Sequence, residues 1–233
     1  MKFDKALIID TETTGFDRPV AIEIAHAPIP IEKMDDIWCR RFNPGKPIEF
    51  DAMAAHHIFD SELVDEPPAA SFELPPNTDY LIGHNIDFDW EVIGKPKIKR
   101  ICTLALARHF WPDASHKLGA LAYKLLGPIY EERNDSGALR TLLKEAHGAK
   151  VDVMITFMIF DIILRELPSH IDTLEKLWDF CEMARVPSRI NFGKHKGELI
   201  KDLPYSYKTW LLRQEDVDQY LRAALLGKTR VED

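Results

Sequence analysis

The chain has 233 residues and a formal net charge of −8, with 45% hydrophobic and 29% charged residues. These values predict a globular protein of one large domain, or one domain with a small appendage, and argue against a protein that coats nucleic acid non-specifically. The sequence has neither a long apolar run nor a signal-peptide pattern, and its three cysteines are scattered, so we expect a cytoplasmic protein without a membrane span.

The first predicted element is a strand over residues 6–9, a short apolar run typical of a central strand buried on both faces. Asp10 and Glu12 follow at a spacing that places both side chains on the same side of an extended chain. Two carboxylates at the end of a buried strand repel each other and lose hydration, so they need a positive partner. A divalent metal ion is one such partner, and the alternative is a pair of solvated acids at an exposed strand end.

Apolar patterns predict four more strands, at residues 20–27, 37–42, 79–82 and 98–102. Helical patterns cover residues 50–59, 103–110, 117–126, 136–146 and 151–167. We expect Thr103 to be the N-cap of its helix, and the helix over 117–126 to stop at Gly127-Pro128. An early antiparallel meander followed by alternating strands and helices predicts an α/β sheet of mixed direction.

The composition changes after Pro168, and we predict a domain boundary there, with domains over residues 1–167 and 168–233. Helical patterns in the second domain cover residues 171–184, 205–212 and 217–226. Between them, a basic turn lies between Gly193 and Gly197 and predicts a hairpin or a strand-loop element. This turn fits a nucleic-acid contact and a solvated loop equally well.

Further acids lie at positions comparable to the first pair. Residues 84–89 lie where a predicted strand meets a helix, and Asp152 lies on the most apolar helix, where a buried acid needs a partner. His147 and Asp152 are five residues apart, about 140° around a helix axis, so His147 belongs outside the first turn. There Gly148 gives the backbone freedom, and the imidazole can act as a general base near neutral pH.

Three segments together resemble the exonuclease motifs of the DEDD superfamily, in its histidine-bearing branch: Asp10-x-Glu12-Thr-Thr-Gly, His84-Asn85-x-x-Phe88-Asp89 and His147-x-x-x-x-Asp152. Residues 101–112 and 191–197 extend the resemblance to the bacterial exonuclease X group and to nearly the whole chain. The resemblance implies a ribonuclease H-like mixed sheet flanked by helices, followed by a small basic C-terminal α+β module.

The same resemblance implies a metal-dependent 3′→5′ exonuclease in DNA repair, which releases nucleoside 5′-monophosphates from single-stranded or duplex DNA 3′ ends. Two Mg²⁺ or Mn²⁺ ions, about 3.5–4 Å apart, are the implied cofactors. Their implied ligands are Asp10, Glu12, Asp89 and Asp152. The family pattern favours Asp89 over the neighbouring Asp87, and His147 is the implied general base.

Four residues are implied to lie near the last nucleotide: Thr13, Phe88, Met53 and His56. Thr13 is expected near the terminal 3′-hydroxyl and Phe88 against the sugar or base, although Phe88 and Met53 fit a plain core position equally well. His84 fits a hydrogen-bonded core histidine without a catalytic role. Two other functions stay open, a 3′→5′ exoribonuclease and a nucleic-acid-binding module that has lost catalysis, and the oligomeric state is open too.

Overall fold

A computed structural model describes residues 1–231 and contains a five-stranded sheet. Its strands are β1 (Ala6–Thr13), β2 (Ala21–Pro28), β3 (Trp38–Arg41), β4 (Tyr80–Gly83) and β5 (Lys99–Cys102). They lie in the order β3-β2-β1-β4-β5. The first three strands pair antiparallel as a meander, whereas β4 pairs parallel to β1 and β5 pairs parallel to β4. The predicted sheet of mixed direction is therefore confirmed.

Helices alternate with the later strands along the chain and follow the last strand. They are α1 (Phe50–His56), α2 (Ile86–Val92), α3 (Thr103–Phe110), α4 (Leu118–Glu132), α5 (Ser136–Lys144), α6 (Ala149–Glu166), α7 (Leu174–Arg185), α8 (Tyr205–Leu212) and α9 (Gln219–Leu225). The α2 helix packs against β1, β4 and β5, and α6 packs against β1 and β2. Within residues 1–231, no helix is both long enough and apolar enough to cross a membrane.

The central position of β1 follows from its sequence. Ile8 and Ile9 are both fully buried although consecutive strand residues point to opposite faces, so both faces of β1 are covered. Burial of each such side chain contributes about 1.5–3 kcal/mol. On α6, Ile155, Ile159 and Ile163 form one buried stripe at helical spacing, and Asp152 continues that stripe one turn earlier. The packing of α6 on the sheet therefore carries an acid towards β1.

The chain divides into two compact units, one over Met1–Leu174 and one from Glu175 onward. The second unit has its own buried apolar cluster, made of Ile190, Ile200, Leu203, Leu211, Leu221 and Leu225. The hairpin or strand-loop element predicted there is present as one antiparallel bridge between Arg189 and Leu199. The predicted functional division at residue 167 stays a prediction.

Two helix ends differ from the prediction. The α4 helix does not stop at Gly127-Pro128 but continues to Glu132 with Pro128 inside it. Proline removes one backbone hydrogen bond and crowds the preceding turn, but Pro128 is exposed, so the crowding can be relieved on the solvent side. The α1 helix ends at His56, three residues before the predicted end, because His57 adopts a left-handed conformation with φ +61°.

Candidate metal centre

Three acids from two elements meet at the end of β1. Asp10 and Glu12 lie on the same side of the strand, as their spacing predicts, and Asp152 enters from the first turn of α6. One carboxylate oxygen from each of these residues lies within 4.8 Å of the other two. The structure therefore brings together three of the four predicted metal ligands as one cluster.

Asp89 lies beside this cluster on α2. Its Oδ1 accepts a hydrogen bond from the Thr11 hydroxyl on β1 at 2.8 Å, and only 4% of the residue is exposed. Two residues earlier, Asp87 is instead paired with Arg100 on β5. The two acids of this motif thus have different environments, one facing the end of β1 and the other held in an ion pair.

The approach of α2 to β1 depends on a glycine at the end of β4. A Cβ atom on Gly83 would lie 2.8 Å from Ile86 Cδ1 and 3.0 Å from the carbonyl oxygen of Ile9, closer than side chains pack. Asn85 then begins α2 in a left-handed conformation (φ +68°), without a side-chain capping hydrogen bond. Asparagine tolerates that conformation better than most residues, so Asn85 shapes this turn through its backbone.

The cluster is electrostatically unfavourable without a cation. Burial raises the pKa of Asp10 well above its ordinary value, and the neighbouring carboxylates of Asp89, Asp152, Glu12 and Glu23 raise it further. Burial followed by repulsion from Asp152 raises the pKa of Glu12 to about 9. Burial raises the pKa of Asp89 to about 7 although the Thr11 hydrogen bonds oppose that rise. A set of crowded carboxylate oxygens with these properties fits a hard divalent cation such as Mg²⁺ or Mn²⁺.

His147 lies just before α6, outside its first turn. Its backbone N–H donates to Asp152 Oδ1 at 3.3 Å, and the residue itself is exposed. Burial raises the pKa of Asp152, whereas this N–H and the nearby imidazole lower it. The backbone freedom expected at Gly148 is found at His147 instead, with φ +73°, whereas Gly148 is extended at φ −117°. That expectation was wrong because the chain turns one residue earlier.

Glu23 is a fifth carboxylate at this site, and the sequence analysis missed it. It lies opposite Glu12 in the β1–β2 register. Its Oε1 accepts a hydrogen bond from the backbone N–H of Ala149 at 3.0 Å, and its Oε2 accepts one from Arg41 Nε at 3.3 Å. Glu23 thereby ties the sheet to the first turn of α6, next to His147 and Asp152. An acid inside the mostly apolar run over 20–27 is the sequence signal that could have identified it.

Two of the predicted substrate residues flank the loop that follows β1. The Thr13 hydroxyl is buried and donates to the carbonyl oxygen of Gly15 at 3.1 Å. The Phe88 ring is half-buried and lies 6.0 Å from the ring of Phe16, which is 86% exposed. Phe16 is thus an exposed ring next to Phe88 and is available to a ligand.

The other two predicted substrate residues lie on α1. Met53 packs against a buried cluster that contains Ile22 and Ile58, and His56 is 8% exposed. The Nδ1 of His56 accepts a hydrogen bond from the Ile58 N–H at 3.0 Å, and burial lowers the pKa of the imidazole. Both side chains therefore contribute to the interior, and their contact with a nucleotide stays a prediction.

His84 is a hydrogen-bonded structural histidine. Its Nδ1 lies 3.0 Å from the Thr103 hydroxyl, and its Nε2 lies 2.8 Å from the carbonyl oxygen of His116. Thr103 is the first residue of α3 and makes no capping hydrogen bond to that helix, so its assignment as N-cap was wrong. Its hydroxyl is used to hold the ends of β4 and β5 together, because it also contacts the carbonyl oxygen of Gly83 at 3.2 Å.

The raised pKa values predict how the metal-free protein responds to pH. Between the ordinary carboxyl value near 4 and about 9, the folded cluster binds more protons than the unfolded chain, so stability falls as pH rises. Mn²⁺ needs the ionised carboxylates, so the rise in Tm that it causes is expected to be larger at pH 8.5 than at pH 5.5. Thermal unfolding in chelator and in Mn²⁺ at both values measures this. An Mn²⁺ effect of equal size at both pH values would contradict it.

Comparisons with known proteins identify relatives of similar sequence. The protein named exodeoxyribonuclease 10 from Escherichia coli K12 is 27% identical over 215 residues, which cover 90% of this chain and 91% of that protein. The DNA polymerase III subunit epsilon of Buchnera aphidicola subsp. Acyrthosiphon pisum is 32% identical over 151 residues, which cover 54% of this chain and 64% of that one. No protein-family model matches the sequence.

Two solved structures share the fold. The structure of exonuclease X in complex with 5′ overhanging duplex DNA has a TM-score of 0.53 and 24% identity, covering 76% of this chain and 99% of that one. The zinc-bound E. coli ExoI–ssDNA complex has a TM-score of 0.51 and 16% identity, covering 75% of this chain and 42% of that one. These likenesses confirm the ribonuclease H-like fold that the motifs predicted.

Proposed function

We propose that this chain, which belongs to the DEDD family of exonucleases, removes nucleotides one at a time from the 3′ ends of DNA. The observation that carries the proposal is the convergence of Asp10, Glu12 and Asp152 within 4.8 Å, at the end of the central strand. The relative that covers nine tenths of both chains is named an exodeoxyribonuclease. The two solved structures described above are complexes with DNA, duplex with a 5′ overhang in one and single-stranded in the other.

In this proposal Asp10, Glu12, Asp152 and Asp89 hold two divalent ions, Mg²⁺ or Mn²⁺. Such ions lower the pKa of an attacking water and stabilise the departing 3′ oxygen of a phosphodiester. The chain's own part is to fix the carboxylates: β1 presents Asp10 and Glu12, α6 presents Asp152, and the Thr11 hydroxyl orients Asp89. Repulsion among these acids is the source of their affinity for cations.

His147 is proposed to take the proton from the attacking water. Its backbone N–H bond to Asp152 keeps its segment beside the acid cluster, and its exposure leaves the imidazole free to reach a bound substrate. An imidazole is the side chain most often used as a general base. Thr13 is proposed to lie near the 3′-hydroxyl, and Phe88, backed by Phe16, against the terminal sugar or base. Met53 and His56 are the other two residues that we propose lie near the last nucleotide.

We also propose that the enzyme acts in DNA repair, because DNA repair requires the removal of nucleotides from DNA 3′ ends. The three cysteines are few and scattered along the chain, as is usual for proteins of a reducing compartment, which supports a cytoplasmic location.

A 5′-labelled oligonucleotide tests the proposed function. With Mg²⁺ or Mn²⁺ we expect a ladder of products that shorten from the 3′ end and nucleoside 5′-monophosphates as the released product, and we expect no products in chelator. Single-stranded DNA, duplex DNA and RNA of the same sequence are assayed in parallel. Faster cleavage of RNA would favour the exoribonuclease, and metal-independent binding without cleavage of any substrate would favour the binding module.

Glu23→Gln is expected to lower kcat by roughly 10–100-fold, the usual effect of losing a partner that orients metal ligands. The amide keeps the shape but has one carbonyl oxygen, so it cannot accept from both Ala149 and Arg41. Glu62→Gln is the matched control, because Glu62 binds the same Arg41 at 2.7 Å from the more exposed side. Equal kcat values for wild type and Glu23→Gln would show that Glu23 does not contribute to catalysis.

A further inference from the structure

The second unit carries a ladder of three aromatic rings at its surface. The ring of His195 lies 4.4 Å from that of Tyr207, and the rings of Tyr207 and Trp210 are stacked 5.4 Å apart with an interplanar angle of 25°. The outermost ring, Trp210, is 50% exposed. A cation joins the ladder, because Lys194 Nζ lies 5.4 Å from the centre of the Tyr207 ring.

The fold of this unit holds the ladder in place. Leu211 on α8 is buried in the apolar cluster of the unit, which fixes the helix, while Tyr207 and Trp210, three residues apart, lie side by side on its surface. At the base of the ladder, His195 Nδ1 lies 3.0 Å from the carboxylate of Glu198. A Cβ on Gly193 (φ +64°) would lie 3.0 Å from the Tyr207 hydroxyl, so the turn is closely packed against this ring.

These residues border an open cleft of about 480 Å³, lined by Gly193, Lys194, Ser206, Tyr207 and Trp210. Its size falls within the roughly 300–1,000 Å³ of small-ligand sites. A second cleft of about 650 Å³ on the same unit is lined by three lysines among its residues, Lys201, Lys208 and Lys228. Lys208 lies on α8 like Tyr207 and Trp210 but lines this second cleft, where its Nζ donates to the carbonyl oxygen of Lys201 at 2.8 Å, so one helix borders both clefts.

The charge of this segment is opposite to that of the whole chain. From Arg189 to Arg213 there are six lysine and arginine residues and two acids, whereas the complete chain has a net charge of −8. Exposed aromatic rings beside lysines are the combination that binds single-stranded nucleic acid: bases stack on the rings and phosphates contact the cations. A peptide ligand would use the rings equally well but gives no reason for the concentration of lysines.

We propose that the aromatic cleft of Tyr207, Trp210 and Lys194 is a binding site for single-stranded nucleic acid, separate from the acid cluster on β1. In this site one or more bases stack on the exposed face of Trp210, and an adjoining phosphate contacts Lys194. The site needs no metal and performs no chemistry. Its existence does not depend on the proposed nuclease function, since a strand can be held in a chain that does not cleave it.

Fluorescence anisotropy of the 233-residue chain in chelator tests the site without cleavage. The probes are a labelled dT20 oligonucleotide and an abasic oligonucleotide of the same length and charge. Wild type is expected to bind dT20 more tightly than the abasic strand, because only dT20 can stack. Trp210→Ala is expected to weaken binding of dT20 by on the order of 10-fold or more and to reduce the preference for bases. Lys194→Ala is expected to weaken binding of both strands and to reduce the salt dependence.

Tyr205→Ala is the matched control. Tyr205 is 85% exposed on the same helix but lies about 160° around its axis from Tyr207, so its removal is expected to change either affinity less than twofold. Circular dichroism verifies that the variants are folded. We expect them to fold because Trp210 and Lys194 lie at the surface. If Trp210→Ala and Lys194→Ala bind both strands as wild type does, the cleft is not a nucleic-acid site and a peptide ligand becomes the better explanation of the rings.

Discussion

Asp10→Asn is expected to lower kcat by on the order of 10³-fold and, in the same protein without metal, to raise Tm. The loss of activity follows from the loss of a charged oxygen ligand, since a metal ion supplies several kcal/mol of transition-state stabilisation and each 1.36 kcal/mol corresponds to about tenfold in rate. The gain in stability follows from the relief of repulsion, because Asp10 is surrounded by the carboxylates of Asp89, Asp152 and Glu12. A substitution that lowers activity but raises stability is expected where side chains that bind a ligand destabilise the ligand-free fold.

Steady-state kinetics and thermal unfolding in chelator at pH 8 measure the two effects. A gain of 1 kcal/mol in the free energy of unfolding corresponds to a rise of about 2–4 °C in Tm for a chain of this size. Asp87→Asn is the matched control, since Asp87 has the same chemistry but is paired with Arg100. It is expected to keep kcat within about twofold and to change stability by only about 1 kcal/mol, because the Asp87–Arg100 pair is partly open to solvent. Wild-type kcat in Asp10→Asn would refute the role of Asp10 as a metal ligand.

The substitution His147→Asn is expected to lower kcat by roughly 10²–10⁴-fold, which is the usual contribution of a general base. Asparagine is chosen because it tolerates the φ of +73° that position 147 requires, so the backbone bond to Asp152 can persist. Metal affinity is therefore expected to stay close to that of wild type. The pH profile of kcat is expected to lose the rise that accompanies deprotonation of the imidazole.

The neighbouring glycine provides the control for His147. Gly148 is extended, and a Cβ there would meet the carbonyl oxygen of Glu145 at 3.7 Å and Glu23 Oε1 at 3.9 Å, which are ordinary contacts. Gly148→Ala should consequently leave kcat within a few-fold of wild type and show that the segment tolerates substitution. An unchanged pH profile in His147→Asn would contradict the assignment of the base.

Local patterns were sufficient to predict the parts of the site that depend on sequence spacing. The period of two on a strand placed Asp10 and Glu12 on one side of β1, and the separation of His147 from Asp152 placed the histidine outside α6. The mixed sheet followed from an early meander and a later alternation of strands with helices. The choice of Asp89 over Asp87 came from the family resemblance and not from local spacing; in the structure Asp89 bonds Thr11, whereas Asp87 is paired with Arg100.

The missed features depend on contacts between distant segments. Glu23 belongs to the site because of its register opposite Glu12 and because α6 packs nearby, and neither fact is visible in the sequence around it. Pro128 reads locally as a helix end, but its exposure allows α4 to continue. Thr103 has the chemistry of an N-cap, yet its hydroxyl is bound by partners at the end of β4. Tertiary packing overrides local preference in each case.

Titration of the metal-free protein with Mn²⁺ at pH 7.5, followed by calorimetry, tests most directly whether these acids form a metal centre. Wild type is expected to bind two ions, and Asp10→Asn and Asp152→Asn are each expected to bind fewer or to bind them much more weakly. Asp87→Asn is expected to bind as wild type does. Absence of Mn²⁺ binding by the wild-type chain, or equal binding by Asp10→Asn and Asp152→Asn, would contradict the account.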